Sequence, residues 1–109
     1  MGRPFELRVG ETVAVQDELL VLTFDGVSED SRCPLGVLCI RAGDAVVKLT
    51  AVRLPDHRQA VLLYSGAERR PDTVSVQDFT VRLVELSPPR RMDGTIAPSD
   101  YVATLLVSR

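Results

Sequence analysis

Apolar residues recur with a period of two along almost the whole chain, and that alternation restricts the fold to β-structure. Phe5, Leu7 and Val9 alternate with Glu6 and Arg8, the pattern of a strand with one face in a core. Gly10-Glu11 turns the chain into Thr12–Val15. Gln16-Asp17-Glu18 then precedes residues 19–24, an apolar run dense enough to be covered on both faces. Asp25-Gly26 breaks or bulges that strand. Residues 37–42 read as a further strand, Gly43-Asp44 as a turn, and residues 45–54 as a strand with Ala45, Val47, Leu49 and Ala51 on one face. Residues 59–64 follow a polar loop. The longest β-like run spans 73–86, and its apolar face changes parity after Leu83, as a bulge or a passage between sheets would make it. Pro88 and Pro89 end that run, residues 88–99 form a loop, and 101–107 close the chain as a strand.

No window carries a sustained helical period. About seven or eight short strands separated by turn signals predict an all-β sandwich, immunoglobulin-like or a related Greek-key arrangement. The immunoglobulin Cys…Trp…Cys spacing is absent, and a Greek-key barrel is the alternative. At 109 residues the chain suits one domain, residues 1–109, without repeat or linker.

Charge narrows the partners. A formal net charge of −2 argues against nucleic acid, which needs a concentrated positive surface. The basic residues are twelve arginines and Lys48, spread along the chain, with Arg69-Arg70 and Arg90-Arg91 as tight pairs that read as solvated surface. No apolar run reaches the ~20 residues of a transmembrane helix. Residues 1–6 lack a hydrophobic leader, so the chain reads either as intracellular or as a mature form lacking its signal.

Cys33 and Cys39 are the only cysteines, and Pro34 and Gly36 between them favour a tight reversal. Three readings compete. A disulfide would close a small loop and remove ~2.4 kcal/mol of unfolded-state entropy. A reactive dithiol would need the C-x-x-C spacing of redox enzymes and a helix N-terminus, neither of which is evident. A zinc site would need more than two thiolates and the distant His57, which reads as an exposed histidine in a polar loop. Around the cysteines, Asp30, Arg32, Pro34, Gly36 and Gly43 are the residues expected to shape the loop, with Arg32 pairing Asp30 or Asp44.

The stretch Asp30-Ser31-Arg32-Cys33-Pro34, with Val37, Cys39-Ile40, Ala42-Gly43, Ala45, Val47 and Leu49, resembles a family of small, uncharacterised bacterial secreted proteins and lipoproteins. Leu22-Thr23-Phe24 upstream and Val81-Arg82-Leu83 downstream fit the same pattern. Where that family commonly carries Trp, this chain has Arg41. The resemblance implies a β-sandwich and export to the secreted, periplasmic or cell-surface space, and it implies no established activity.

Catalysis needs a nucleophile, a base and an orienting group, or a metal cluster. One histidine and no recognisable catalytic motif leave few candidates, and the carboxylate pairs Asp17-Glu18 and Glu29-Asp30, with Asp93 and Asp100, are not brought together by any spacing. Asp25, Glu29 and Asp30 suggest calcium only generically, and local backbone hydrogen bonding explains Asp30 and Ser31 better. The expectation is therefore a non-enzyme with no cofactor and no metal. It is an exported module that binds an unknown protein or glycan through its loops, the stapled one and that of Arg90, Arg91 and Met92. The alternative is a structural subunit that self-associates through strand edges.

Overall fold

The computed structural model describes residues 3–15, 17–40, 43–65, 71–92 and 94–109. Arg69 and Arg70, Arg41 and Ala42, and Asp93 lie outside the described residues. Among the described residues eight strands form: β1 (Phe5–Arg8), β2 (Thr12–Val15), β3 (Leu20–Asp30), β4 (Ala45–Arg53), β5 (His57–Tyr64), β6 (Thr73–Val76), β7 (Phe79–Ser87) and β8 (Val102–Ser108), with a 3-10 turn at Pro98–Asp100. They build two antiparallel four-stranded sheets, ordered β1-β8-β7-β6 and β2-β3-β4-β5.

The alternation read in the sequence becomes the core. Leu20, Leu22 and Phe24 of β3, Val47, Leu49 and Ala51 of β4, and Val61 and Leu63 of β5 point inward from one sheet. Leu7 of β1, Phe79, Val81 and Leu83 of β7, and Ala103, Leu105 and Val107 of β8 meet them from the other. The result is the expected β-sandwich, with inner faces apolar because alternate residues share a side of each strand.

Its connectivity is more local than an immunoglobulin or Greek-key order. Hydrogen-bonded neighbours are consecutive in the chain except β1 with β8. No strand returns by a long connection beside the first of three, as a Greek key requires. The chain changes sheets twice, between β1 and β2 and between β5 and β6, so the two sheets are successive parts of one meander closed by the N-terminal strand.

Three local readings change. The run 73–86 is two strands, because Gln77-Asp78 makes a two-residue hairpin that pairs Val76 with Phe79. Gln77 adopts a φ of 55° there, a left-handed conformation usually signalled by Gly or Asn, so the turn left no mark in the composition. Residues 19–24 are not covered on both faces: Leu20, Leu22 and Phe24 are fully buried, whereas Val21 and Thr23 are half-buried. Residues 37–40 form no strand. The Cα atoms of Cys33 and Cys39 are 6.0 Å apart across six residues, and an extended chain of that length would span ~20 Å.

Bulges account for the parity changes. One lies between Phe24 and Gly26 and one between Leu83 and Glu85, the second leaving Val84 outside at 46% exposure while Leu86 turns inward. Phe24→Ala should therefore cost about 3–5 kcal/mol in a denaturant titration. Val84→Thr should change stability by less than about 0.5 kcal/mol, since no core volume is lost.

Candidate functional site

The β3–β4 and β7–β8 connections lie at one end of the sandwich, and the short β4–β5 and β6–β7 turns lie at the other. The first end carries the cysteine loop. It is built on a polar fork at the end of β3, where the bulged strand leaves the sheet. Arg32 Nε donates to Asp30 Oδ1 at 2.8 Å and Nη2 to Oδ2 at 2.7 Å, a two-pronged pair with both side chains largely buried. Two further guanidinium protons reach the other sheet, Nη1 to the Leu86 carbonyl at the end of β7 and Nη2 to the Pro88 carbonyl just past it, each at 2.9 Å. Tyr101, just before β8, donates its hydroxyl to Asp30 Oδ2 at 2.9 Å. One ion pair thus ties β3 to β7 and to the start of β8.

The electrostatics follow from this geometry. Burial alone would raise the Asp30 carboxyl, but hydrogen bonds from the Arg32 side chain, from Tyr101 and from the Arg32 amide outweigh it and hold it below the ordinary carboxylate value. Burial, then the neighbouring Asp30 carboxylate, pushes the Tyr101 hydroxyl up, so it stays a donor. No buried side-chain nitrogen or oxygen among the described residues lacks a partner.

The loop's other sequence-marked residues have related duties. Ser31 Oγ donates to the Asp44 carbonyl at 2.8 Å, and the Ser31 amide donates to the same carbonyl, closing the base of the loop. A Cβ built at Gly43 would overlap the Ser31 carbonyl, so only glycine fits. Gly36 has a φ of +79° inside the ring, and the Val37 amide donates to the Pro34 carbonyl across the reversal. Cys33 and Cys39 form the disulfide.

The expected interaction residues Arg90, Arg91 and Met92 divide. Arg90 is turned inward: its Nη1 donates to the Arg32 carbonyl at 2.6 Å, and its own carbonyl accepts from the Leu35 amide at 2.9 Å. It is therefore a support rather than free solvated surface. Arg91 pairs with Leu35 in a short parallel bridge and is exposed, and Met92 is 78% exposed. The two loops form one end surface because this bridge joins them.

The sequence reading missed the residues that protrude most. Leu38 and Ile40 flank Cys39 and are fully exposed, and Leu35 is 53% exposed. Residues 37–42 were expected to form a strand, but in the closed loop both side chains stand outward. Full exposure of two aliphatic side chains contributes nothing to the core.

The opposite end holds a polar depression lined by Arg53, Leu54, Pro55, Asp56, His57, Gln77 and Asp78. Arg53 and Arg109 both donate to Asp78, and both guanidinium groups lie within about 5 Å of the Phe79 ring centroid. Hydrogen bonding from Arg53, then from Arg109, holds the Asp78 carboxyl well below its ordinary range. His57 is not a free loop histidine. It opens β5, half-buried, donates from Nε2 to Gln59 Oε1 at 2.9 Å and accepts at Nδ1 from Gln77 at 3.1 Å. One neutral tautomer satisfies both contacts. Elsewhere, Asp25 accepts from Thr50, and no group of three metal-ligating side chains occurs among the described residues.

No protein-family model, curated protein or solved structure matches the chain.

Arg32→Ala should lower unfolding free energy by about 2–4 kcal/mol, because it strands a largely buried carboxylate and two carbonyls. Asp30 also sets a pH dependence. Its folded-state pKa lies below the unfolded value of 3.8, so its contribution is complete above that value and is lost as pH falls through the lower folded pKa. Acid titration of the wild type should show this loss, and Asp30→Asn should flatten it. Reduction of Cys33–Cys39 should lower stability by at most ~2.4 kcal/mol and leave the far-ultraviolet circular dichroism unchanged, since the fork anchors the loop independently.

Proposed function

We propose that this chain is an exported, non-catalytic binding module whose recognition surface is the stapled end, made of Leu35, Leu38, Ile40, Arg91 and Met92. The observation that carries this reading is the full exposure of Leu38 and Ile40 on a loop fixed by a disulfide, an ion-pair fork and a backbone bridge. Ordering such a loop in advance removes the entropic cost a partner would otherwise meet on binding. The disulfide supports export to the secreted, periplasmic or cell-surface space, where such bonds persist. No helix among the described residues is long and apolar enough to cross a membrane.

Assembly through strand edges is the second reading, and the edges give it less support. The outer strands β1, β2 and β6 are four residues long, and short edges are a usual protection against edge-to-edge pairing. The eight-residue β5 is flanked by β6, onto whose Ser75 carbonyl Gln59 donates.

A photo-crosslinking amino acid placed at Leu38, in the cells that make the protein, should give one discrete adduct, whereas the same probe at the outward Leu62 of β5 should give none. An adduct with the mass of two 12.0 kDa chains would instead establish self-association. The double variant Leu38→Asp with Ile40→Asp should keep its melting temperature within about 2 °C, as surface changes outside the core do.

A further inference from the structure

The stapled end presents two aliphatic side chains at full exposure, one on each side of Cys39, and Leu35 and Met92 are also exposed on the two loops that the Leu35–Arg91 bridge joins. Anchors this few carry specific binding when each fills a pocket in a concave partner. A lipid surface suits the end less well. Electrostatic attachment to membranes takes clusters of about four to eight basic residues. Residues 31–44 and 88–92 hold four arginines by sequence, of which Arg32 and Arg90 are spent on carbonyls and carboxylate within the loop, leaving fewer than such a cluster needs. A protein cleft gains from a rigid loop, because less chain entropy is lost on binding.

The bond following Leu38 has a second property. Leu38–Cys39 lies inside the disulfide ring, so hydrolysis there adds one water, frees the Leu38 carboxyl and the Cys39 amine, and leaves the two pieces joined through Cys33–Cys39. The strands tie them again: β1 of the first piece pairs with β8 of the second, and β3 pairs with β4. The departing amine therefore stays beside the new carboxyl, in place to close the amide again. An exposed side chain, a backbone held from behind and a cut that releases nothing are the physical requirements of a loop that occupies an endopeptidase without being consumed.

We propose, building on the binding-module reading, that the stapled end is a substrate-like plug for the active-site cleft of an endopeptidase with an apolar primary pocket, with Leu38 as the residue that enters the pocket. Specificity of such a cleft lies in that pocket, so a charge exchanged at Leu38 moves the preference with it. Arg32, Arg90 and the disulfide position the loop and do not touch the enzyme's reacting groups.

The test uses the purified disulfide-bonded protein against three serine endopeptidases: chymotrypsin-like and subtilisin-like ones with apolar pockets, and a trypsin-like one with an acidic pocket. The expected result is inhibition of at least one of the first two and none of the third. Leu38→Asp should weaken the inhibition at least about 30-fold at unchanged melting temperature, the loss expected of a central anchor. Leu38→Arg should transfer inhibition to the trypsin-like enzyme. Prolonged incubation should give a chain cut after Leu38 that separates only on reduction and denaturation. Absence of inhibition, rapid cleavage with loss of the fold, or inhibition indifferent to Leu38→Asp would each overturn the proposal. So would Leu38-dependent co-sedimentation with phosphatidylcholine–phosphatidylglycerol vesicles in place of inhibition. A discrete crosslink from position 38 alongside a failed panel would overturn the peptidase assignment alone, and loss of that crosslink would remove the binding-module reading beneath it.

Discussion

The stapled end of this sandwich depends on the fork between Asp30 and Arg32. Taking a carboxylate and a guanidinium out of water is costly, and the pair offsets that cost through the hydrogen bonds each group makes. Two prongs join Arg32 to Asp30, two more donors reach the Leu86 and Pro88 carbonyls, and Tyr101 completes the carboxylate. Leu86 is the next-to-last residue of β7 and Pro88 follows the strand's end, where proline donates nothing to a ladder, so the guanidinium holds both carbonyls where regular pairing stops. The fork therefore does for the β7–β8 connection what a further strand would otherwise do, and it draws β3 of one sheet onto the loop of the other.

The disulfide and the fork act at different ranges. Cys33–Cys39 closes a ring of local sequence, shaping its own reversal and little beyond it. The fork and the Arg90–Arg32 hydrogen bond connect residues more than fifty positions apart and set where that ring sits on the molecule. Ser31, Asp44 and Gly43 join them at the base, where the chain passes too close for any side chain at Gly43. Most of the Asp-Ser-Arg-Cys-Pro stretch is thus accounted for by placing the loop, which leaves Leu38 and Ile40 as the residues the placement displays. The far end of the sandwich is the opposite case, because Arg53 and Arg109 pair with Asp78 over the Phe79 ring, while His57 and Gln77 bond each other.

The inner faces of the strands were legible in the sequence because alternation is a local property. Ala45, Val47, Leu49 and Ala51, like Tyr101, Ala103, Leu105 and Val107, are buried as their spacing required. The pairing of Cys33 with Cys39 and of Arg32 with Asp30 was also within reach, since both partners lie within six residues. The Gln77-Asp78 hairpin was not, because a left-handed glutamine carries no compositional mark. Nor was the inward turn of Arg90, because its acceptor is a backbone carbonyl, present at every residue and visible at none. Leu38 and Ile40 misled for a related reason: apolar alternation identifies a face but does not say that the face has anything opposite it.

The sequence by itself determined the all-β class, the residues of the core and the small ring, all consequences of short-range period, turn chemistry and two nearby thiols. Tertiary structure alone decided that the strands run as a meander closed by β1 against β8, that Arg32 bridges the sheets, and that the apolar tip stands in solvent. Those features rest on contacts between distant residues, whose energy depends on where the backbone has already placed each group and leaves no periodic trace in the chain.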